Sequence, residues 1–185
     1  MIQDISGLLL TTTDFNHAKI IEYTRRPFPD IEIMNARLIQ FWNETVEPDD
    51  AVFHLGDFLF GGVGDAMQFF SRLNGRIFVL SNQHHHDHGW LPKTFGSSQF
   101  KSAAGYPVML LPPIHVWTDK VTRLVLCHFP LAEWEGKHHG TIHLHGHSHG
   151  AFHDVGRSID VGVDSHDFRP IPLTEIKRWV EHSEV

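Results

Sequence analysis

At 185 residues the chain is long enough for one domain with a sizeable core, and a single domain over 1–185 is the expectation. A formal net charge of −7, histidine taken as neutral, argues against bulk attraction to nucleic acid or an anionic membrane. The lone Cys127 excludes an intrachain disulfide and a zinc ribbon, and no apolar run approaches the roughly 20 residues of a membrane span.

In chain order, "MIQDISGLLL" has neither the basic flank nor the apolar stretch of a secretory signal, so a cytoplasmic location is expected. "SGLLLTT" reads as a strand at about 7–12. "HAKIIEY" and "DIEIMNARLIQFWNETV" follow as helical patterns. In the second, Ile31, Met34, Leu38 and Trp42 recur at helical spacing, with Ile33, Phe41 and Val46 widening the stripe. Glu47-Pro48 ends it. "AVFHL", "RIFVL" and "RLVLC" are short, branched or aromatic and bounded by turn residues, so they read as buried strands. Between the first two, "GDAMQFFSRL" reads as a helix closed by Asn74-Gly75. "TIHLHG" and "SIDVGV" read as later strands, and "LTEIKRWVEH" as a C-terminal helix.

Polar clusters follow five of these strands: "TTTDFNH", "GDFLFGG", "SNQHHHDH", "CHFP" and "HGHSHG". In open α/β sheets ligands bind outside the carboxyl ends of the strands, where loops converge while the strands stay buried. His147 and His149 flank Ser148, and on an extended segment both would share one face. Two such imidazoles suit zinc, manganese, iron or nickel. Asp57 follows a buried strand and could bridge two cations, as two-metal phosphoryl chemistry requires. Asn82 offers a carbonyl oxygen, and His128 stands at a strand end with no turn role. A histidine-rich polar loop, turn residues and a satisfied core histidine are the plain alternatives for these positions.

The ordered set "GDFLFGG", "SN", "CHFP" and "HGHSHG" resembles the calcineurin-like metallophosphoesterases, and more closely their compact bacterial and phage branch. That branch opens with D-T-H-F-G-H and continues with H-L-G-D-F, G-N-H-D, C-H-x-P and H-G-H-S-H. "RRPF" at 25–28, "RLNGR" at 72–76 and "VGVDSHDFRPIPLTEI" at 161–176 extend the likeness to nearly the whole chain. The resemblance implies an α/β fold of two packed mixed β-sheets flanked by helices, an αββα four-layer sandwich. It also implies a dinuclear site at the strand ends and hydrolysis of phosphoric mono- or diesters. Asp57 then matches the bridging aspartate, Asn82, His128 and His147 the other ligands of one metal, and His149 a ligand of the second.

Two motifs depart from that pattern. Counting back from His17, the first aspartate falls on Thr12, the first histidine on Asp14, and Asn16 stands for glycine. Two ligands of the second metal are thereby changed, and Asp14, a hard carboxylate suited to manganese or magnesium, would lie on the same strand end as a replacement ligand. In the third motif, glycine falls on Ser81, the leaving-group histidine on Gln83 and the aspartate on His84. Glutamine donates a hydrogen bond but supplies no proton near neutral pH. His84 would take over if the loop is rearranged by one residue, and His86-Asp87 if it holds an insertion. His17 or a histidine of 84–86 would then assist the leaving group. Arg25 and Arg26 are candidates for phosphate contact or plain solvent-facing charges.

The resulting expectation is a phosphodiesterase or phosphatase with a remodelled second metal site. It would use one or two divalent transition-metal ions, manganese first and zinc, iron or nickel next, and act on a small phosphorylated substrate. The alternative is a catalytically impaired pseudoenzyme that binds a metal and a phosphorylated ligand or protein partner.

Overall fold

The computed structural model of the chain describes residues 7–81, 86–152 and 156–182. Ten strands among these residues form two mixed sheets, as expected. The first contains β1 (Leu8–Thr11), β2 (Ala51–His54), β3 (Arg76–Leu80), β4 (Gly96–Lys101), β5 (Pro107–Leu111) and β10 (Ile171–Pro172), in the order β10-β1-β2-β3-β5-β4. Its inner strands β1, β2, β3 and β5 run parallel, and the edge strands β10 and β4 are antiparallel to their neighbours. The second contains β6 (Ile114–Thr118), β7 (Arg123–Cys127), β8 (Ile142–His145) and β9 (Ser158–Asp160), with β7, β8 and β9 parallel and β6 antiparallel at one edge.

The period of two along each strand divides the first sheet's side chains between two cores. Leu9, Val52, Ile77 and Val79 point to one face, where they meet Ile20 of α1 (Ala18–Tyr23), Met34, Leu38 and Trp42 of α2 (Ile31–Thr45), and Ala66 and Phe70 of α3 (Val63–Phe70). Leu10, Phe53 and Leu80 point to the other face and pack on Leu124, Leu126, Ile142 and Leu144 of the second sheet. α4 (Leu173–His182) adds Leu173 and Ile176 to this inter-sheet core. Each such large apolar side chain contributes about 1.5–3 kcal/mol on burial.

The stripe Met34, Leu38 and Trp42 is buried as its spacing requires. Asp30 caps α2 by accepting from Ile33 N–H at 2.8 Å, and the helix stops before Pro48. The strand read over "SIDVGV" is shorter. It ends at Asp160, whose carboxylate turns back to accept from Gly162 N–H at 2.8 Å, and a 3₁₀ turn follows at Val163–Ser165. No helix among the described residues is long and apolar enough to cross a membrane.

Candidate metal centre

The parallel strands β1 and β2 of one sheet and β7 and β8 of the other deliver Asp14, Asp57, His128, His147 and His149 just past their carboxyl ends. Asp14 N–H donates to Asp57 O at 2.7 Å and Phe15 N–H to Phe58 O at 2.9 Å, which extends the β1–β2 pairing into the two loops. Asp14 (φ 58°), Asp57 (φ 50°), His147 (φ 66°) and His149 (φ 48°) all adopt the left-handed backbone region. Aspartate and histidine tolerate that region better than most residues, and such conformations cluster at functional sites. Gly56 (φ 107°) is required twice over, because a Cβ there would lie 3.1 Å from His128 Nδ1.

One group is Asp57, His128 and His147, whose candidate ligand atoms all lie within 4.8 Å of one another. His128 Nδ1 lies 3.1 Å from Leu55 O, and a carbonyl can only accept, so Nδ1 carries a proton. Nε2 is thereby aimed at Asp57 Oδ2, 3.1 Å away. A ring nitrogen and a carboxylate oxygen that face each other this closely need a cation between them, a proton or a metal ion. The fixed Nδ1–H also gives the ring orientation that metal-binding histidines use. One carboxylate and two imidazoles fit manganese, zinc, iron or nickel. Asn82, the expected fourth ligand, lies outside the described residues, as do Gln83 and His84.

The second group is built differently from the expectation. Arg26 is no solvent-facing charge: it is 4% exposed, whereas Arg25 is exposed. Its Nε and Nη2 donate to the two oxygens of Asp164, each at 2.7 Å, Nη2 reaches Asp14 Oδ2 at 3.3 Å, and Nη1 donates to Thr13 O at 3.1 Å. His149 Nδ1 donates to Asp164 Oδ2 at 2.8 Å, leaving Nε2 as the nitrogen that can meet an ion. Burial pushes the Asp14 carboxyl up to about 6, against the pull of His149 and Arg26. Burial works against the charge of Asp164 too, but the hydrogen bonds from His149 and Arg26 hold it well below the usual carboxylate range. For His149, burial is outweighed by Asp164 and Asp14, which hold the imidazole above its ordinary value. Thr12 is buried and packs against Gly146, where a Cβ would collide with it. Thr12 thus brings a hydroxyl to this position, and the two carboxylates there, Asp14 and Asp164, share the Arg26 guanidinium.

The expected common face of His147 and His149 is not formed. Both residues have positive φ, so the segment curls, sending His147 to Asp57 and His128 and His149 to Asp164.

Among the described residues of the histidine-rich loop, His86 reaches the site. Its ligand atom lies within 4.8 Å of those of Asp14 and Asp57, and its ring is 4.7 Å from that of His17. His17 Nδ1 accepts from Ile20 N–H at 2.9 Å, capping α1, so its proton sits on Nε2. Burial, with His86 next, lowers the pKa of His17 below its ordinary value. The neighbouring Asp87 is fully buried and accepts from Phe58 N–H (2.9 Å), Leu59 N–H (3.0 Å) and Trp90 Nε1–H (2.9 Å). Burial pushes this carboxyl up to about 7, against those donated bonds. Asp87 thus ties the loop after β3 to the loop that carries Asp57. Asp87→Ala orphans the donors of Phe58 and Leu59 and is expected to cost about 3 kcal/mol, a fall of roughly 6–12 °C in Tm by thermal unfolding. A fall of under 2 °C would show that the tie carries no weight.

Asp164 and the buried role of Arg26 are the residues that the sequence reading missed. Their only signal was that "RRPF" and "VGVD" are both part of the family likeness.

No family model matches the chain. It is 29% identical over 187 residues to the uncharacterized protein MJ1445 of Methanocaldococcus jannaschii, covering 96% of this chain and 92% of that one. It is 27% identical over 194 residues to the gene 66 protein of Mycobacterium phage D29, covering 91% and 92%. Among solved structures, AQ665 of Aquifex aeolicus, a protein of unknown function, superposes with a TM-score of 0.67 at 18% identity, over 94% of this chain and 98% of that one. That similarity is one of fold.

Proposed function

We propose that this protein is a metal-dependent phosphoric ester hydrolase of the calcineurin-like metallophosphoesterase kind, with one tightly held divalent transition-metal ion. The observation that carries this reading is the convergence of buried Asp57 from one sheet with His128 and His147 from the other, their ligand atoms within 4.8 Å. Asn82 completes the set in this proposal. When bound, such an ion supplies positive charge to a phosphoryl oxygen and acidifies water. His17, neutral with its proton on Nε2, stands beside the centre as a hydrogen-bond donor to the leaving oxygen, and His86 as the imidazole that, when protonated, gives that oxygen its proton, worth about 10²–10⁴-fold in rate. Arg26 takes no part in holding phosphate: its side chain is 0% exposed and committed to Asp14 and Asp164.

The second reading is a pseudoenzyme that binds a metal and a phosphorylated ligand or protein partner without turnover. Thr12 and the Arg26–Asp14 pairing favour it, since both weaken a second ion position. With one ion, either the attacking or the leaving oxygen loses its cation, and the rate falls.

Metal analysis of protein purified without chelators separates these outcomes. We expect near one equivalent of manganese, zinc, iron or nickel per chain, and a Tm that rises roughly 5–10 °C at manganese 100-fold above its Kd. Slow hydrolysis of a nitrophenyl phosphodiester should disappear with chelator and return with manganese. Thr12→Asp with Asp14→His should bring the content toward two. Metal-free protein with no thermal shift from any of these ions would sink both readings, whereas bound metal without turnover would leave the pseudoenzyme.

A further inference from the structure

Phe60 stands three residues after Asp57, in the same loop, and is 51% exposed, while its neighbours Phe58 and Leu59 are fully buried. Its backbone is fixed on both sides: Phe60 N–H donates to Phe15 O at 2.9 Å, and Phe60 O accepts from Asn16 Nδ2 at 3.2 Å. Asn16 is in turn held in the left-handed region (φ 59°) by its own N–H, which donates to Asn35 Oδ1 at 2.9 Å. The phenyl ring lies edge-on to His17 (centroids 5.4 Å apart, 75°) and to His86 (5.3 Å, 65°). A large apolar ring is thus kept at the surface by a rigid frame, beside the two imidazoles that border the candidate centre. The core does not account for it.

We propose that Phe60 is a stacking platform for the leaving group, and that the substrates are phosphoric esters whose leaving alcohol bears a planar ring, aryl or nucleobase. This rests on the hydrolase reading. A leaving oxygen that accepts a hydrogen bond from His17 or a proton from His86 must come within about 2.6–3.2 Å of a ring nitrogen. Whatever group that oxygen carries then lies within reach of Phe60. A flat ring gains there by stacking, and a short alkyl group does not. Stacking on an exposed aromatic side chain is worth about a five- to hundredfold change in affinity.

The test is calorimetry on manganese-loaded protein with non-hydrolysable phosphonates. Benzylphosphonate, in which a methylene replaces the ester oxygen of a phenyl phosphate, is compared with ethylphosphonate. Wild-type protein should prefer the benzyl compound by about tenfold or more. Phe60→Ala should abolish that preference and Phe60→Tyr should retain it, with manganese content unchanged in both. An adenosine phosphonate identifies the source of the ring: tighter binding than the benzyl compound points to nucleotides, weaker binding to simple aryl esters. Equal affinities in the wild type, a preference that survives Phe60→Ala, or no binding of any phosphonate overturns the platform. Hydrolysis of the nitrophenyl diester is followed in parallel. If it persists while the preference is missing, only the platform falls; if it too is absent, the hydrolase reading fails on its own ground.

Discussion

Asp57→Asn should reduce turnover of a nitrophenyl phosphodiester by about 10³-fold or more, a loss of roughly 4 kcal/mol of barrier lowering, and abolish the melting shift produced by manganese. Asp57 is the one residue that belongs both to the group with His128 and His147 and to the group with Asp14 and His86. Asparagine keeps the side chain's shape but removes the charge that faces His128 Nε2 at 3.1 Å. It also tolerates the left-handed backbone at this position (φ 50°), so the variant should fold. Metal content, the thermal shift and kcat are read on the same preparation. Retention of one equivalent of metal with an unaltered thermal shift would exclude Asp57 as a ligand. Should the wild type bind metal without turning over, the thermal shift alone decides.

Arg26→Met should be the most destabilising single change at the site. It leaves Asp14, which is buried, and Asp164, whose side chain is 7% exposed, without the guanidinium that they share. Removing one partner of a buried ion pair costs about 3–5 kcal/mol, which for a chain of this size is a drop in Tm of roughly 10 °C. The double variant Arg26→Met, Asp164→Leu removes the orphaned charge as well and should lose less than the sum of the two single changes. A Tm within 2 °C of wild type for Arg26→Met would mean that the carboxylates find another partner or protonate at little cost.

Strands buried on both faces announce themselves as short apolar runs, which is why β1, β2, β3, β7 and β8 and the loops after them could be read from the sequence. The edge strands β4 and β6 and the strand β5 between prolines could not. "GSSQFK" is mostly polar, and Pro107, Pro112 and Pro113 interrupt the apolar pattern around β5 and β6. His128 and Asp57 were legible because each directly follows such a run. Arg26 was not, because its burial depends on Asp164, 138 residues further along the chain. A paired arginine looks like solvated charge until its tertiary partner is known. The histidine-rich loop left alternatives open for another reason. Where successive loop residues are themselves histidines, spacing does not say which one arrives at the centre, and among the described residues it is His86. The common face expected for His147 and His149 presumed extended backbone, which their positive φ angles rule out.

Asp57 is anchored to the first sheet, and His128 and His147 to the second. Between them lies the inter-sheet core of Leu10, Phe53, Leu126 and Leu144. An ion gripped by all three side chains would therefore be a rivet through the sandwich. Sliding one sheet past the other would pull the grip apart, and extracting the ion would remove a fastener from the far end of that core. Were an ion held there, mechanical strength across the sheets and occupancy of the centre would become a single variable, and the fold as a whole would respond to the metal.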